Sequence, residues 1–126
     1  MKKFLIGLVL IVAFFATTAF GAERTTTWGW TDDNVTGTVV SWDIFRGASA
    51  TGPWTLVTNQ VFYDKGVATE YRTTAAVTVA DNAETTVFFK AQTLGTNGLR
   101  STDSNIISVL YDTRTAPVAP GNFNVK

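Results

Sequence analysis

The chain contains no cysteine and no histidine. Those two absences exclude disulfide cross-links, structural zinc, haem ligation, cysteine nucleophiles and every catalytic scheme that needs imidazole. They also exclude a lipid-modified cysteine at a processing site. Charge is sparse, at 16% of residues, and ten Lys plus Arg balance ten Asp plus Glu with no run of either sign. A protein that binds nucleic acid needs a basic stripe to neutralise phosphates, and this one has none. No window places apolar residues at helical spacing over three turns. Proline is scarce too, with three in 126 residues, and two of those three, Pro117 and Pro120, lie in the last ten.

Only one long hydrophobic run is present. Lys2 and Lys3 precede Phe4 to Ala16, all apolar or Gly, before Thr17 and Thr18 interrupt it. A short apolar stretch behind two lysines reads as a bacterial-type secretory signal, too short to serve well as a membrane span. Ala19 and Gly21 supply the small residues that a signal peptidase requires, which places cleavage after Gly21. Residues 1–21 are then an export signal, and the 105 that follow carry eight basic and ten acidic residues and no membrane span. The expected location is extracellular or periplasmic.

Twenty of those 105 residues are Thr, and Val, Phe and Trp are frequent. Such residues suit a pleated, half-buried surface better than a helix. Period-two alternation recurs between clusters of Gly, Asp, Asn and Pro, and predicts six or seven strands. In the strand Thr25 to Thr31, Trp28 and Trp30 share one face. Val40, Trp42 and Ile44 form the inner face of the next strand, with Ser41, Asp43 and Phe45 outward. Pro53 to Thr58 is a third, and Val61 to Gly66 reads equally as a brief edge strand or a turn. Tyr71, Ala75, Val77 and Val79 line one side of a strand ending at Asp81-Asn82. Val87, Phe89 and Ala91 face inward on the next, and Asn105 to Tyr111 is the last. Two antiparallel sheets packed face to face bury these rows, with Trp30, Trp42, Ile44, Val87 and Phe89 at the shared interior. The fold class is an all-β two-sheet sandwich.

In that order the residues resemble a fibronectin type III domain, an immunoglobulin-like sandwich, over residues 22–111. Trp30 resembles the family's second-strand tryptophan, and Trp42-Asp43-Ile44-Phe45-Arg46 its third strand. Gly52-Pro53-Trp54-Thr55 resembles the turn that follows, and Gly98, Ser101, Ser104 and Asn105 the turn into the final strand. One departure is that Thr85 stands where the family has a corner tyrosine. A second is larger. The family's first strand, a Pro-rich lead-in followed by alternating apolar residues, has no room between Gly21 and Thr25. A segment similar to it stands at the other end of the sequence, Ala116 to Val125, where Phe123 and Val125 alternate with Asn122 and Asn124. Residues 112–126 therefore read as a tail and a candidate donor strand, the order expected of a domain whose first strand was moved to its end.

Several residue groups invite a functional reading. Asp32, Asp33 and Asn34, and likewise Asp81, Asn82 and Glu84, have calcium-type oxygens, but Asx residues are ordinary turn formers and no second ligand set is spaced to complete a site. No metal or other cofactor is expected. Asp64 and Glu70 are paired carboxylates without a cleft large enough to use them, so no catalytic residue is assigned. Asn34-Val35-Thr36 matches the glycosylation pattern by chance. Phe45, Trp54 and Phe88 are outward aromatics, candidates for binding a carbohydrate or a cell-surface protein. Trp28, Trp30, Pro117, Pro120, Phe123 and Val125 are candidates for a contact between subunits.

These readings lead to a secreted, non-enzymatic structural or protein-interaction module that self-associates head to tail by C-terminal strand donation. A monomeric extracellular binding module is the alternative, with the tail as a linker. A third reading is a frame truncated before a second domain. Export predicts a mature product that begins at Ala22, which N-terminal sequencing of the secreted fraction checks; a retained Met1 there contradicts the cleavage.

Overall fold

The computed structural model describes residues 6–12, as a strand, and 21–126; the rest of the expected export signal, residues 1–5 and 13–20, lies outside the described residues. The described residues form seven strands: β1 (Ile6–Val12), β2 (Ala22–Asp32), β3 (Val39–Gly47), β4 (Trp54–Val61), β5 (Tyr71–Val79), β6 (Glu84–Gly95) and β7 (Ile107–Asp112). They form two antiparallel sheets, ordered β1-β2-β5 and β4-β3-β6-β7, and the described residues contain no helix. The expected all-β two-sheet sandwich is the observed architecture.

The core lies between the sheets, where the alternating rows meet. Trp28, Trp30, Trp42, Ile44, Val77, Val87, Phe89, Ala91 and Tyr111 are buried. Two edge-on aromatic contacts join the layers: Trp28 meets Phe89 and Trp30 meets Trp42, each with ring centroids 5.2 Å apart. Edge-to-face packing sets the positive rim of one ring against the negative face of another, and it fixes the spacing of the layers. Tyr71 extends the cluster, 4.5 Å from the Trp42 centroid.

The structure departs from the sequence pattern at several positions. The second predicted inner face was to start at Val40, but the β3–β6 ladder shifts register between Val39 and Ser41. This bulge changes the phase of the alternation, so Val39 is the core residue, Val40 is exposed, and Ser41 and Asp43 are buried. Asp43 is covered because Asn59 Nδ2 donates to it at 2.5 Å and Arg100 pairs with it. Residues 62–66 form no strand. β2 begins three residues earlier than the sequence indicated, at Ala22, and β7 two residues later, at Ile107.

The loop between β6 and β7 shows what Ser101 and Ser104 do. Both are buried, and each takes the place of a strand residue beside β6. Ser101 Oγ accepts from Thr93 N at 2.9 Å and Ser104 Oγ from Ala91 N at 2.8 Å, while their own amides donate to the Thr93 and Ala91 carbonyls. A long strand thereby keeps its backbone satisfied where its neighbour is a loop.

Trp42 also donates through Nε1 to Asp32 Oδ2 at 2.7 Å. Trp42→Ala should therefore cost about 3 to 5 kcal/mol, a large part of a small domain's total of about 5 to 15 kcal/mol. Trp42→Phe, which keeps a ring and loses the hydrogen bond, should cost less. Urea denaturation of both variants checks the order, and an unchanged midpoint for Trp42→Ala contradicts the packing described.

Candidate strand-acceptor edge and C-terminal tail

β2 is the middle strand of the smaller sheet, and its inner column is Ala22, Arg24, Thr26, Trp28 and Trp30, all buried. Below the two tryptophans, Thr26 Oγ1 and the Tyr111 hydroxyl share a hydrogen bond of 2.8 Å that crosses between the sheets. Burial pushes the Tyr111 phenol above its ordinary value; the Thr26 bond and the charge of Arg46 oppose that only in part. Arg24 is the costly member of the column. Its Nη1 donates to the Glu23 carbonyl at 3.2 Å, and its Nε has no partner among the described residues.

One side of β2 pairs with β5, from Ala22 opposite Val79 to Trp30 opposite Tyr71. Its other side pairs with β1, in a register that sets Ile6 opposite Asp32, Leu8 opposite Trp30, Leu10 opposite Trp28 and Val12 opposite Thr26. The outer edge of β2, for which Ala22 to Arg24 offer no strand of their own, is thus paired with residues 6–12, the middle of the expected export signal. Strand pairing at this edge satisfies the backbone groups of β2 and flanks the two tryptophans. Gly21 makes the approach to β2 possible: its φ is +143°, and a Cβ there would lie 2.8 Å from the Val79 carbonyl oxygen.

The tail is anchored as far as Arg114. Thr113 Oγ1 accepts from Ala83 N at 3.0 Å and donates to the Ala80 carbonyl at 2.7 Å, which ties the end of β7 to the β5–β6 turn. Arg114 pairs with Asp112 and Glu84. From residue 115 the chain is exposed and forms no strand. Val118, Phe123 and Val125 are more than 90% accessible. Trp28 and Trp30 therefore lie in the core, while Pro117, Pro120, Phe123 and Val125 stand apart from them in the solvent.

The outward aromatics occupy the opposite face, on the larger sheet. Phe45 is opposite Lys90 in the ladder, and Trp54 and Phe88 are both opposite Gly47. All three are half-buried. Lys90 Nζ lies 4.6 Å from the Trp54 ring centroid and 5.8 Å from that of Phe45. It also pairs with Asp103 at 3.0 Å. Burial raises the Asp103 pKa, but hydrogen bonds from Gln92 and Lys90 outweigh it and hold the carboxyl below its ordinary value. Trp54 folds back over its own turn, where a Cβ at Gly52 would meet its ring at 2.8 Å.

The acidic groups are engaged in turns and pairs. Asp32 Oδ1 accepts from Asn34 N at 2.8 Å while Oδ2 takes Trp42, an Asx turn. Asp64 Oδ1 accepts from Gly66 N, and Glu70 pairs with Arg72 at 2.8 Å. Asp81 accepts from Asn82 N, and Asn82 has a left-handed φ of 51°.

Compared with known proteins, the chain matches no protein-family model and no curated protein. Two features of the site lie outside the sequence reading. Arg24 continues the period-two column upstream of Thr25, a signal present in the sequence but masked by its charge. The pairing of residues 6–12 with β2 had no local signal beyond an apolar run that suits export equally well.

Asp112 offers a direct check of the tail anchor. Side-chain and backbone hydrogen bonds from Arg114 lower its pKa to about 2. A depressed carboxylate favours the folded state above the ordinary value of 3.8, and that contribution disappears as pH falls through about 2. Carboxyl NMR titration should give a midpoint near that value, and Arg114→Ala should return it toward the ordinary range.

Proposed function

We propose that this protein is a secreted, non-enzymatic structural module of the fibronectin type III kind, whose copies join head to tail. In this reading the signal is removed after Gly21, and the tail from Ala116 to Val125 of one copy enters the first-strand position of the next. One observation carries it: the outer edge of β2 takes a strand from outside residues 22–111, while a first-strand-like tail stands exposed and unpaired. Strand addition at an open sheet edge is a general mode of recognition, with the ladder giving affinity and alternate side chains giving specificity. The strand order fits the family reading. In the immunoglobulin constant arrangement the fourth strand joins the first and second, whereas here β4 pairs with β3 in the other sheet.

Energetics set conditions on the contact. Burying Phe123 and Val125 yields about 1.5 to 3 kcal/mol each, against about 1 to 2 kcal/mol for each backbone residue ordered. Pro117 and Pro120 reduce the second term because they are already restricted in the free tail. Ladder hydrogen bonds and further contacts between copies must supply the remainder. Return of the tail to its own β2 is the rival arrangement, and about 50 to 58 Å of extended chain from Tyr111 to Lys126 is little for a return and a second run. One acceptor edge and one donor per copy make the contact heterologous, so the product is an open filament or a ring.

A monomeric module that binds a carbohydrate or a cell-surface protein is the second reading, favoured by the Phe45–Lys90–Trp54 stack on the larger sheet. Light scattering separates the two. Protein beginning at Ala22 should grow in mass with concentration, deletion of residues 116–126 should abolish the growth, and a peptide of residues 116–126 should cap it. A concentration-independent monomer with a mobile tail by NMR supports the second reading and overturns the first.

A further inference from the structure

We propose that the uncleaved chain caps itself: residues 6–12 occupy the edge that another copy's tail requires, so loss of the leader is the step that makes the chain competent to assemble. This rests on the strand-donation reading above and adds its regulation.

Three observations carry it. First, β1 covers the edge through seven consecutive positions, from Ile6 opposite Asp32 to Val12 opposite Thr26, the stretch of β2 that bears both tryptophans. A second strand cannot pair there while β1 does. Second, β1 is joined to β2 by only the nine residues between Val12 and Ala22. A short tether holds a segment at an effective concentration of about millimolar, so a tail from a second copy at about micromolar concentration competes at a disadvantage of about a thousandfold. Third, the two strands differ as ladder partners. Ile6–Val12 is IGLVLIV, with a backbone donor at each position, whereas the tail lacks one at Pro117 and at Pro120.

The same geometry imposes an order of events. Ala22 is 2% exposed and paired opposite Val79, and Gly21 is packed against the Val79 carbonyl. The expected scissile bond is thus part of the folded β2–β5 edge, where a peptidase that needs an extended, accessible segment has no access. Leader removal must precede closure of β2 onto β5, and a chain that folds first stays capped.

The test uses the full chain with a site-specific protease sequence placed within residues 14–20, purified folded and then cut. Light scattering should show the uncut chain monomeric where the cut chain assembles after gel filtration, with midpoint concentrations at least a hundredfold apart. In a version that also lacks residues 116–126, the β2 amides that face β1 should exchange slowly before cutting and fast after it, while those facing β5 stay slow. Leu8→Asp/Leu10→Asp, placed opposite Trp30 and Trp28, should let the uncut chain assemble. Equal assembly of cut and uncut chains, or β2 amides exchanging equally fast in both, overturns the capping role. If tail deletion still abolishes assembly in that case, strand donation stands alone. If the cut chain stays monomeric with its tail intact, strand donation falls, and the amide exchange still decides whether the leader covers β2.

Discussion

The edge of β2 is the constraint on which the rest of this structure depends. A strand carrying two buried tryptophans in its inner column presents a full row of backbone donors and acceptors on each side. β5 satisfies one row. The other requires a partner, because an exposed edge next to a large apolar surface is a template for pairing with whatever strand is available. In this chain the partner is a segment that also has the composition of an export signal. On the strand-donation proposal, the partner's identity decides whether the molecule is closed on itself or open to another copy.

Above that edge the aromatic cluster fixes the geometry. Trp30, Trp42 and Tyr71 meet within 4.5 to 6.3 Å between ring centroids, and Asp32 at the end of β2 accepts from Trp42 Nε1. The end of β2 is thereby tied to the middle of β3 in the opposite sheet. At the lower end the Thr26–Tyr111 bond makes the same kind of link between β2 and β7. These two cross-sheet polar bonds, set among the buried aromatic rings, hold the layers in one relative position, since both must be satisfied together.

The two sheets manage their edges by different means. Beyond the short strand β7 the larger sheet uses side chains, with Ser101 and Ser104 accepting the β6 amides that no strand reaches. Those bonds are local, within thirteen residues, and form with the loop itself. The smaller sheet completes its edge with the backbone of a separate strand, β1, joined to β2 by nine residues. That contrast is why the strand-donation proposal concerns the smaller sheet.

Much of this architecture follows from the sequence alone. Alternation of Trp28 with Trp30, Trp42 with Ile44, and Val87 with Phe89 and Ala91 places them inside a two-sheet sandwich, because a side-chain period of two leaves each strand a single apolar face. Ser101 and Ser104 were expected in a turn before the last strand, but their burial and their bonds to the β6 amides were not legible. Tertiary structure decided the rest. The bulge that exchanges Val39 for Val40 depends on how β6 meets β3, which no local pattern encodes. Burial of Asp43 depends on Asn59 and Arg100, which come from a neighbouring strand and a distant loop. The occupant of the β2 edge is the deepest case. Two segments of the chain have strand-like alternation or apolar content suited to it, and only backbone pairing in three dimensions, absent from the order of residues, shows that Ile6–Val12 is the one that lies against β2 here.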